Sequence, residues 1–470
     1  MKSEKLKPAA FLWDESFLWG LMAYKALKAN GLPFELIRAE DIKKGCLKNY
    51  AMLFVPGGWA SNKLKPLGDK GIKEIKKFVR NGGNYLGFCG GAGLATFDGI
   101  GLLDIKRMPT KQRVPSFSGR IRLNINKHPI WKHLEQSAVS HQLSAVSKLI
   151  PNLQSLIPIF NAWWPSQFLI NDKKIETLAT YGDALPDSFS SDLNVGDVET
   201  NNNWTELEEI YGINLNPNRL KDEPAVIEGT FGKGRVILSL IHFDTTDDEN
   251  GAKVLKNLWD YLAGKQSAVN SQRSAKNSKL LIHSNMNLRG LSLFTDKAQR
   301  SRRIGTVPDA PFDELEWAVE DLIGLGIRNF LWFWRNPMLL QWRRGVRGLE
   351  YCTLYVMVKE IAEILKMHDA GYMIQDIGKD LKKIKGMLLP FTEKAKQLLI
   401  LERHAIQTGH ITYERCDDPE IQKLRTELFS SSKSHGGLFK KLIDEVDKLL
   451  YTLTKMEAEG QRKHCPSSHS

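Results

Sequence analysis

The sequence predicts an α/β protein: a doubly wound, mostly parallel sheet over residues 1–264, then a basic linker, then an all-α helical domain. Three observations carry this. Through the first ninety or so residues, short apolar runs alternate with amphipathic helical segments, the rhythm of parallel strands joined by crossover helices. Ala51–Val55 is an unbroken apolar run, as strands buried on both faces are. Beyond residue 303 the apolar period lengthens to that of helices with short connections, which suggests a bundle.

The elements follow in order. Ala9–Trp13 reads as the first strand, and Ser16–Asn30 as a helix with Ser16 available as its cap and Gly31 as its stop. Phe34–Ile37 is the second strand and Ala51–Val55 the third. Asp69–Asn81 is an amphipathic helix ended by Gly82, and Asn84–Phe88 is a strand. Arg120–Asn126 alternates as a strand does, and His128–Leu134 is a turn into a short helix. Asp183–Asn203, rich in Asp, Ser and Asn, reads as an exposed loop. Ala225–Phe231 and Arg235–Leu240 are strands joined by the turn Gly232-Lys233-Gly234. In the second half, Phe312–Ile323, Leu349–Met367, Ile374–Leu389, Thr392–Ile406 and Leu438–Leu453 read as helices, with Pro390 as a breaker. Asn329–Trp342 is apolar but interrupted by Arg335 and Pro337; it fits a buried helix or hairpin, or else a membrane-surface or partner-binding patch. The expected domains are 1–264, a linker at 265–303, a helical domain at 304–460 and a disordered tail at 461–470.

Charge and cysteine usage narrow the function classes. The formal net charge is +12, but positions 1–264 hold 33 basic and 29 acidic residues and positions 304–470 hold 24 of each. Positions 265–303 hold 9 basic residues and 1 acidic one, in a Ser- and Asn-rich context without interleaved aromatics. This predicts a solvated linker, with weak binding to an anionic partner as the alternative; a base-stacking nucleic-acid surface is not expected. The five cysteines, Cys46, Cys89, Cys352, Cys416 and Cys465, are scattered and lack metal-ligand spacing. Neither a disulfide framework nor a metal site is expected, and a reducing, cytoplasmic setting fits. Asp14 and Glu15 interrupt the N-terminal apolar run too early for a signal peptide, and no uncharged apolar run is long enough for a transmembrane segment. Arg343, Arg344 and Arg347 form a basic cluster that fits helix-end charge, or a phosphate or carboxylate partner.

Two segments carry chemistry. Asn84–Ala95, NYLGFCGGAGLA, sets Cys89 between an apolar strand and a run of small residues. That is the pattern of a nucleophile elbow, where Cβ atoms beside the bend would clash and the following helix turns free N–H groups toward the sulfur. The bland alternative is a buried cysteine beside a tight turn. Far downstream, His242 and Asp244 follow the strand Arg235–Leu240. A histidine two residues from a carboxylate suits a general base and its orienting acid.

Together with PAAFLWDES and FVPGGWA, Phe54–Ala60, these segments resemble the class I glutamine amidotransferase-like superfamily. Within it, residues 7–264 are most similar to the amidotransferase-like N-terminal domain of biotin–protein ligases. The resemblance implies Cys89 as nucleophile, His242 as base, Asp244 as orienting acid, and the N–H groups of Gly58 and Gly90 as oxyanion donors. Gly57, Trp59, Asn161, Trp163 and Trp164 are the pocket candidates; adjacent tryptophans cannot face one side of a strand, so one of the last two belongs to the core. Two positions depart from the glutamine-hydrolysing pattern: Gly93 stands where a glutamine is usual, and Asp244 where a glutamate is usual. The biotin-ligase catalytic loop has no counterpart, so biotin transfer is not expected.

The sequence therefore predicts a cysteine-dependent enzyme on a small-molecule amide or acyl substrate, without cofactor or metal. The alternatives are an inactive scaffold of the same fold, with a protein partner met through the helical half, and a reactive-cysteine sensor.

Overall fold

The computed structural model describes residues 7–114, 116–134, 157–264, 312–367, 371–409, 411–412, 416–430 and 435–463. The chain divides into two compact units, residues 1–266 and 267–470. The linker expected at 265–303 lies outside the described residues, except that the expected boundary at Gly264 closes the first unit's last helix. Of the tail expected at 461–470, residues 461–463 end a helix and the rest lie outside the described residues.

The first unit opens with β1 (Ala9–Leu12), α1 (Phe17–Ala29), β2 (Phe34–Ile37), α2 (Ala39–Lys43), β3 (Met52–Val55), α3 (Ala60–Arg80), β4 (Asn84–Phe88) and α4 (Gly90–Leu94). It continues with β5 (Ile105–Arg107), β6 (Phe117–Ile125), β7 (Ile159–Trp163), β8 (Phe168–Ile170), β9 (Glu176–Ala184), β10 (Phe189–Ser190) and β11 (Leu193–Asn194). Then come α5 (Val195–Asn201), α6 (Trp204–Tyr211), β12 (Pro224–Phe231), β13 (Gly234–Ser239) and α7 (Glu249–Ala263). The main sheet has 11 strands in the order β11-β10-β6-β9-β12-β13-β4-β3-β1-β2, with β7 paired to β6. The run β2-β1-β3-β4-β13 is parallel, and the strands beyond β13 pair antiparallel.

Every side chain of β1 and β3 is buried, as the unbroken apolar runs require. Phe54 packs on Trp259 of α7, with ring centroids 5.4 Å apart. Its strand neighbours Leu53 and Val55 point to the opposite face and are equally buried, so both faces of the parallel half are covered. β3, β4 and β13 lie side by side and end together: Val55 is opposite Gly87, and Ser239 is opposite Phe88. Three loops thus leave one edge of the sheet from adjacent strands. Ligands of open α/β sheets bind at that carboxyl edge.

Several local expectations change. Ser16 is the N-cap of α1, but its hydroxyl turns back to the carbonyls of Leu12 and Asp14 at 3.5 and 3.3 Å rather than capping the helix. α3 begins at Ala60, nine residues ahead of the expected start, because a first helical stretch leads into the amphipathic one across a kink at Gly68, where φ is 54°. Asp183–Asn203 is not a loop: β9 runs into it and β10, β11 and α5 follow. Phe189, Leu193 and Val198 supply apolar contacts too sparse to show periodicity in a polar stretch.

α6 carries Glu208, whose carboxylate gathers the next turn. Its Oε1 accepts from the N–H of Leu215 at 2.8 Å, of Asn216 at 2.9 Å and from Arg219 Nε at 3.0 Å, and Oε2 accepts from Arg219 Nη2 at 2.6 Å. The Arg219 hydrogen bond, ahead of the two backbone donors, holds this carboxyl down at about 2. A depressed carboxylate stabilises the fold above its unfolded pKa and loses that contribution as pH falls through the folded one. Because the pair is partly solvated, Glu208→Gln is expected to destabilise the unit by about 1–2 kcal/mol at pH 7. In urea melts the difference from wild type shrinks as pH falls from about 4.5 toward 2.

The second unit holds α8 (Asp313–Arg328), a hairpin of β14 (Trp332–Asn336) and β15 (Leu339–Trp342), α9 (Gly348–Met367), α10 (Gly371–Thr408), α11 (Pro419–Phe429) and α12 (Gly437–Lys463). The apolar stretch before Arg343 is thus a hairpin, one of the forms its sequence allowed, with Trp332 opposite Trp342. Pro390 does not break the helix: α10 runs through it. Burial of Leu388, Phe391, Ala395, Leu398 and Leu399 along one face offsets the hydrogen bond that proline removes. Of the arginine cluster, Arg347 pairs with Glu350 at 3.0 Å inside the core rather than at a solvated helix end. No described helix is long and apolar enough to cross a membrane.

Candidate active site

β4 delivers Cys89 into a conformation that L-residues rarely adopt, φ 46° and ψ −101°. Such a backbone persists only where its surroundings over-determine it, at a strain of about 1–3 kcal/mol. Here the Cys89 N–H donates to the Ser239 carbonyl at 2.8 Å, and the Cys89 carbonyl accepts from Gly93 N–H at 2.9 Å. Behind the bend the chains touch backbone to backbone. A Cβ on Gly90 would lie 1.9 Å from the Gly58 carbonyl oxygen, and one on Gly91 1.9 Å from that of Val55. These contacts explain the run of small residues better than helix formation does, since α4 is only five residues long. Its dipole is correspondingly slight support for a thiolate.

The turn after β3 supplies the second wall. Gly58 has φ 110°, and its Cβ position is blocked by the Glu15 carbonyl oxygen at 2.6 Å. Among the described residues the N–H groups of Gly58 and Gly90 have no backbone acceptor. Gly57 abuts the imidazole: a Cβ there would lie 3.0 Å from His242 Cε1. Trp59 follows and is 40% exposed.

His242 leaves β13 on a braced loop. Its N–H donates to the Asn161 carbonyl at 3.0 Å, and its own carbonyl accepts from the Thr245 hydroxyl at 2.8 Å. Trp163, fully in the core, donates from Nε1 to that same hydroxyl at 3.0 Å. The Asn161 amide donates to Asp248 at 2.9 Å. Asn161 and Trp163 therefore hold the loop, and Trp163 is the tryptophan of the pair that belongs to the core. Trp164 is the half-buried member of the pair, with φ 50°. It meets Trp19 edge-on at 5.8 Å, and the Trp19 ring lies 4.8 Å from that of His242. Trp19 carried no signal in the sequence beyond its place on the apolar face of α1.

His242 Nδ1 and Asp244 Oδ1 are 3.0 Å apart, and both side chains are fully buried. The opposite nitrogen, Nε2, makes no hydrogen bond that meets ordinary geometry. It faces the thiol closely enough for the two groups to shift each other. Burial alone would raise the Cys89 thiol, but His242, then Arg107, outweigh it and bring it below its ordinary value. Burial alone would lower His242, but Asp244 and then Cys89 outweigh it and raise the imidazole. Opposite shifts of this kind are those of a thiolate–imidazolium pair. Cys89 itself is half-buried. By contrast burial pushes Cys46 up to about 11 and the fully buried Cys352 up to about 12.

Arg107 is the charged neighbour that sequence reading missed. It sits at the end of β5, a three-residue strand paired to β8, in the stretch where the sequence shows no clear periodicity. Among the described residues no group of three His, Cys, Asp or Glu side chains could hold a metal ion.

Comparisons with known proteins bear on this region. No curated protein matches the sequence. Solved structures with similar folds are distant. A protein described as a GMP synthase subunit, from Thermoplasma acidophilum, is 12% identical, with a TM-score of 0.34 over 58% of this chain and 100% of that one. β-Galactosidases from Bacillus circulans sp. alkalophilus and Rahnella sp. R3 are 13% and 14% identical, with TM-scores of 0.31 and 0.32 over 56% and 55% of this chain. The chain spans 32% of the length of each galactosidase. Residues 36–98, which contain the Pro56-Gly57-Gly58 turn and Cys89 but stop well before His242, match the family described as biotin-protein ligase, N terminal.

Proposed function

We propose that the first unit is a cysteine-dependent amidohydrolase of amidotransferase-like type, acting on the C–N bond of a small amide. The observation that carries this reading is the buried His242: one ring nitrogen is held by Asp244, and the other faces a strained, half-buried Cys89.

In this reading the Cys89 thiolate attacks the carbonyl carbon and forms the C–S bond. The developing oxyanion is held by the N–H groups of Gly58 and Gly90. Imidazolium Nε2 gives its proton to the leaving nitrogen as the C–N bond breaks, and the amine departs. Water then attacks the thioester, with His242 taking its proton, and release of the acid restores the thiolate. Asp244 keeps the ring oriented and stabilises its charge throughout. Loss of one oxyanion donor in such sites costs about 3–4 kcal/mol of transition-state stabilisation.

The test is thiol reactivity followed by turnover. Iodoacetamide at neutral pH is expected to label Cys89 ahead of Cys46 and Cys352, and Cys89→Ala to abolish both that label and amide hydrolysis. Preferential labelling of Cys46 or Cys352 would remove the basis of the proposal. A reactive Cys89 with no turnover across amides and small esters would favour a sensing role for the same thiol, which its lowered pKa and partial exposure also suit.

A further inference from the structure

The position after the elbow departs from the glutamine-hydrolysing pattern, and the structure fills the space with something else. Gly93 lies four residues beyond Cys89, its N–H on the Cys89 carbonyl, and so shares the thiol's face of the short helix. A Cβ on Gly93 would lie 2.6 Å from Cζ, 2.8 Å from Nη1 and 2.9 Å from Nε of Arg107. The guanidinium therefore rests flat on the glycine, where any side chain would displace it. Arg107 is half-buried, and among the described residues its side chain makes no hydrogen bond or ion pair.

A second guanidinium is near enough to feel its charge. Arg113 is tied through Nε to the Met108 carbonyl, one residue past Arg107. Burial first, and then the charge of Arg107, depresses Arg113 to about 10, while Cys89 pulls it the other way. Two like charges kept this close and partly out of water are unfavourable unless an anion joins them. With imidazolium and thiolate formed, His242, Arg107 and Arg113 supply three positive charges against the two negative charges of Cys89 and Asp244. Among the described groups that act on the thiol or its imidazole partner, the cations thus outnumber the anions by one.

We infer that the substrate of the Cys89 site is a net-negative amide, of the class of half-amides of dicarboxylic acids, and that Arg107 receives its carboxylate with Arg113 reinforcing the field. This rests on the proposed cysteine chemistry and names its specificity. A guanidinium's planar fork suits a carboxylate, and a glycine at 93 is the condition for the fork to lie there. Arg107 would thus be a specificity residue, acting on the substrate's anionic end while Cys89 acts on its carbonyl.

Two alkylating agents test it, since iodoacetate is an anion and iodoacetamide is neutral, and both attack the same thiolate. Their rate ratio at Cys89 cancels the thiolate fraction. In the full-length protein at low salt, the iodoacetate-to-iodoacetamide ratio at Cys89 is expected to exceed that of a free thiol such as glutathione. It is expected to fall about tenfold in Arg107→Met, the order expected for one nearby charge in a half-buried site. Arg107→Lys should retain most of the preference. Glutarate should slow iodoacetamide labelling of the wild type but not of Arg107→Met, and the wild-type arm stands even if a variant folds poorly. Brisk labelling by both reagents with a ratio indifferent to Arg107 and to glutarate would overturn the inference and leave the cysteine chemistry standing. Labelling by neither would overturn both.

Discussion

His242→Ala is expected to lower amide turnover by about 10²–10⁴-fold, the range over which a positioned acid–base group contributes. The same change should raise the thiol pKa of Cys89. The two effects have one origin. The imidazole is the strongest favourable influence on a thiol that burial alone would push upward. Without it, Arg107 remains as the nearest cation, and it acts through charge alone. The pH–rate profile of alkylation should therefore have its midpoint below the ordinary thiol value of 9.0 in the wild type and move upward in the variant. Asp244→Asn is the sharper control. It keeps the volume beside Nδ1 but removes the charge that raises the imidazole, so the imidazole pKa should fall, while the thiol, which the Asp244 charge itself pushes upward, should shift less than in His242→Ala. Trp19 and Gly57 pack against the ring, so stability must be followed separately by melting. An alkylation midpoint unmoved in His242→Ala would exclude the histidine as partner of the thiol.

What could be read from sequence was local. Phe34–Ile37 and Asn84–Phe88 coincide with observed strands because each is a short run opened by Pro33 or Gly83 in a regular α/β rhythm. Cys89 and His242 stand out because the glycines around the first answer to steric contacts within a few residues of a strand end, and the second follows a strand read as buried; Gly58 enters only through the family resemblance. Arg107 was not visible. Its strand has three residues, and its inferred role depends on an absence, the missing side chain at Gly93, some fourteen residues earlier. Trp19 likewise looked like one more apolar residue of α1 until the fold laid it on the His242 ring. Of the adjacent tryptophans, one of which belongs to the core by the sequence pattern, Trp163 is the core member, and with Asn161 it hydrogen-bonds the loop that carries His242. Pro390 shows the opposite error, a local rule overridden by burial along the rest of α10.

Gly90→Ala is expected to be among the most damaging single changes available in the first unit. A methyl group there would sit 1.9 Å from the Gly58 carbonyl oxygen and 2.6 Å from its carbon, far inside contact distance. Both partners are backbone, so no rotamer can relieve the clash. Gly58 is itself pinned by φ 110° and by the Glu15 carbonyl behind it. The turn after β3 and the bend after β4 must separate, which disrupts the edge where Val55 and Gly87 are paired. A loss above about 4 kcal/mol is expected, in the tail reached only by such mechanisms. Gly386→Ala is the matched contrast: it lies within α10 with nothing inside 4 Å of the added methyl. It should stabilise the second unit by about 0.5–1 kcal/mol through helix propensity. Denaturant unfolding of the two variants would read both numbers. If Gly90→Ala folds with near wild-type stability and still presents a reactive Cys89, the two loops are not held against each other. The pairing of Gly58 with Gly90 as joint donors to an oxyanion then fails.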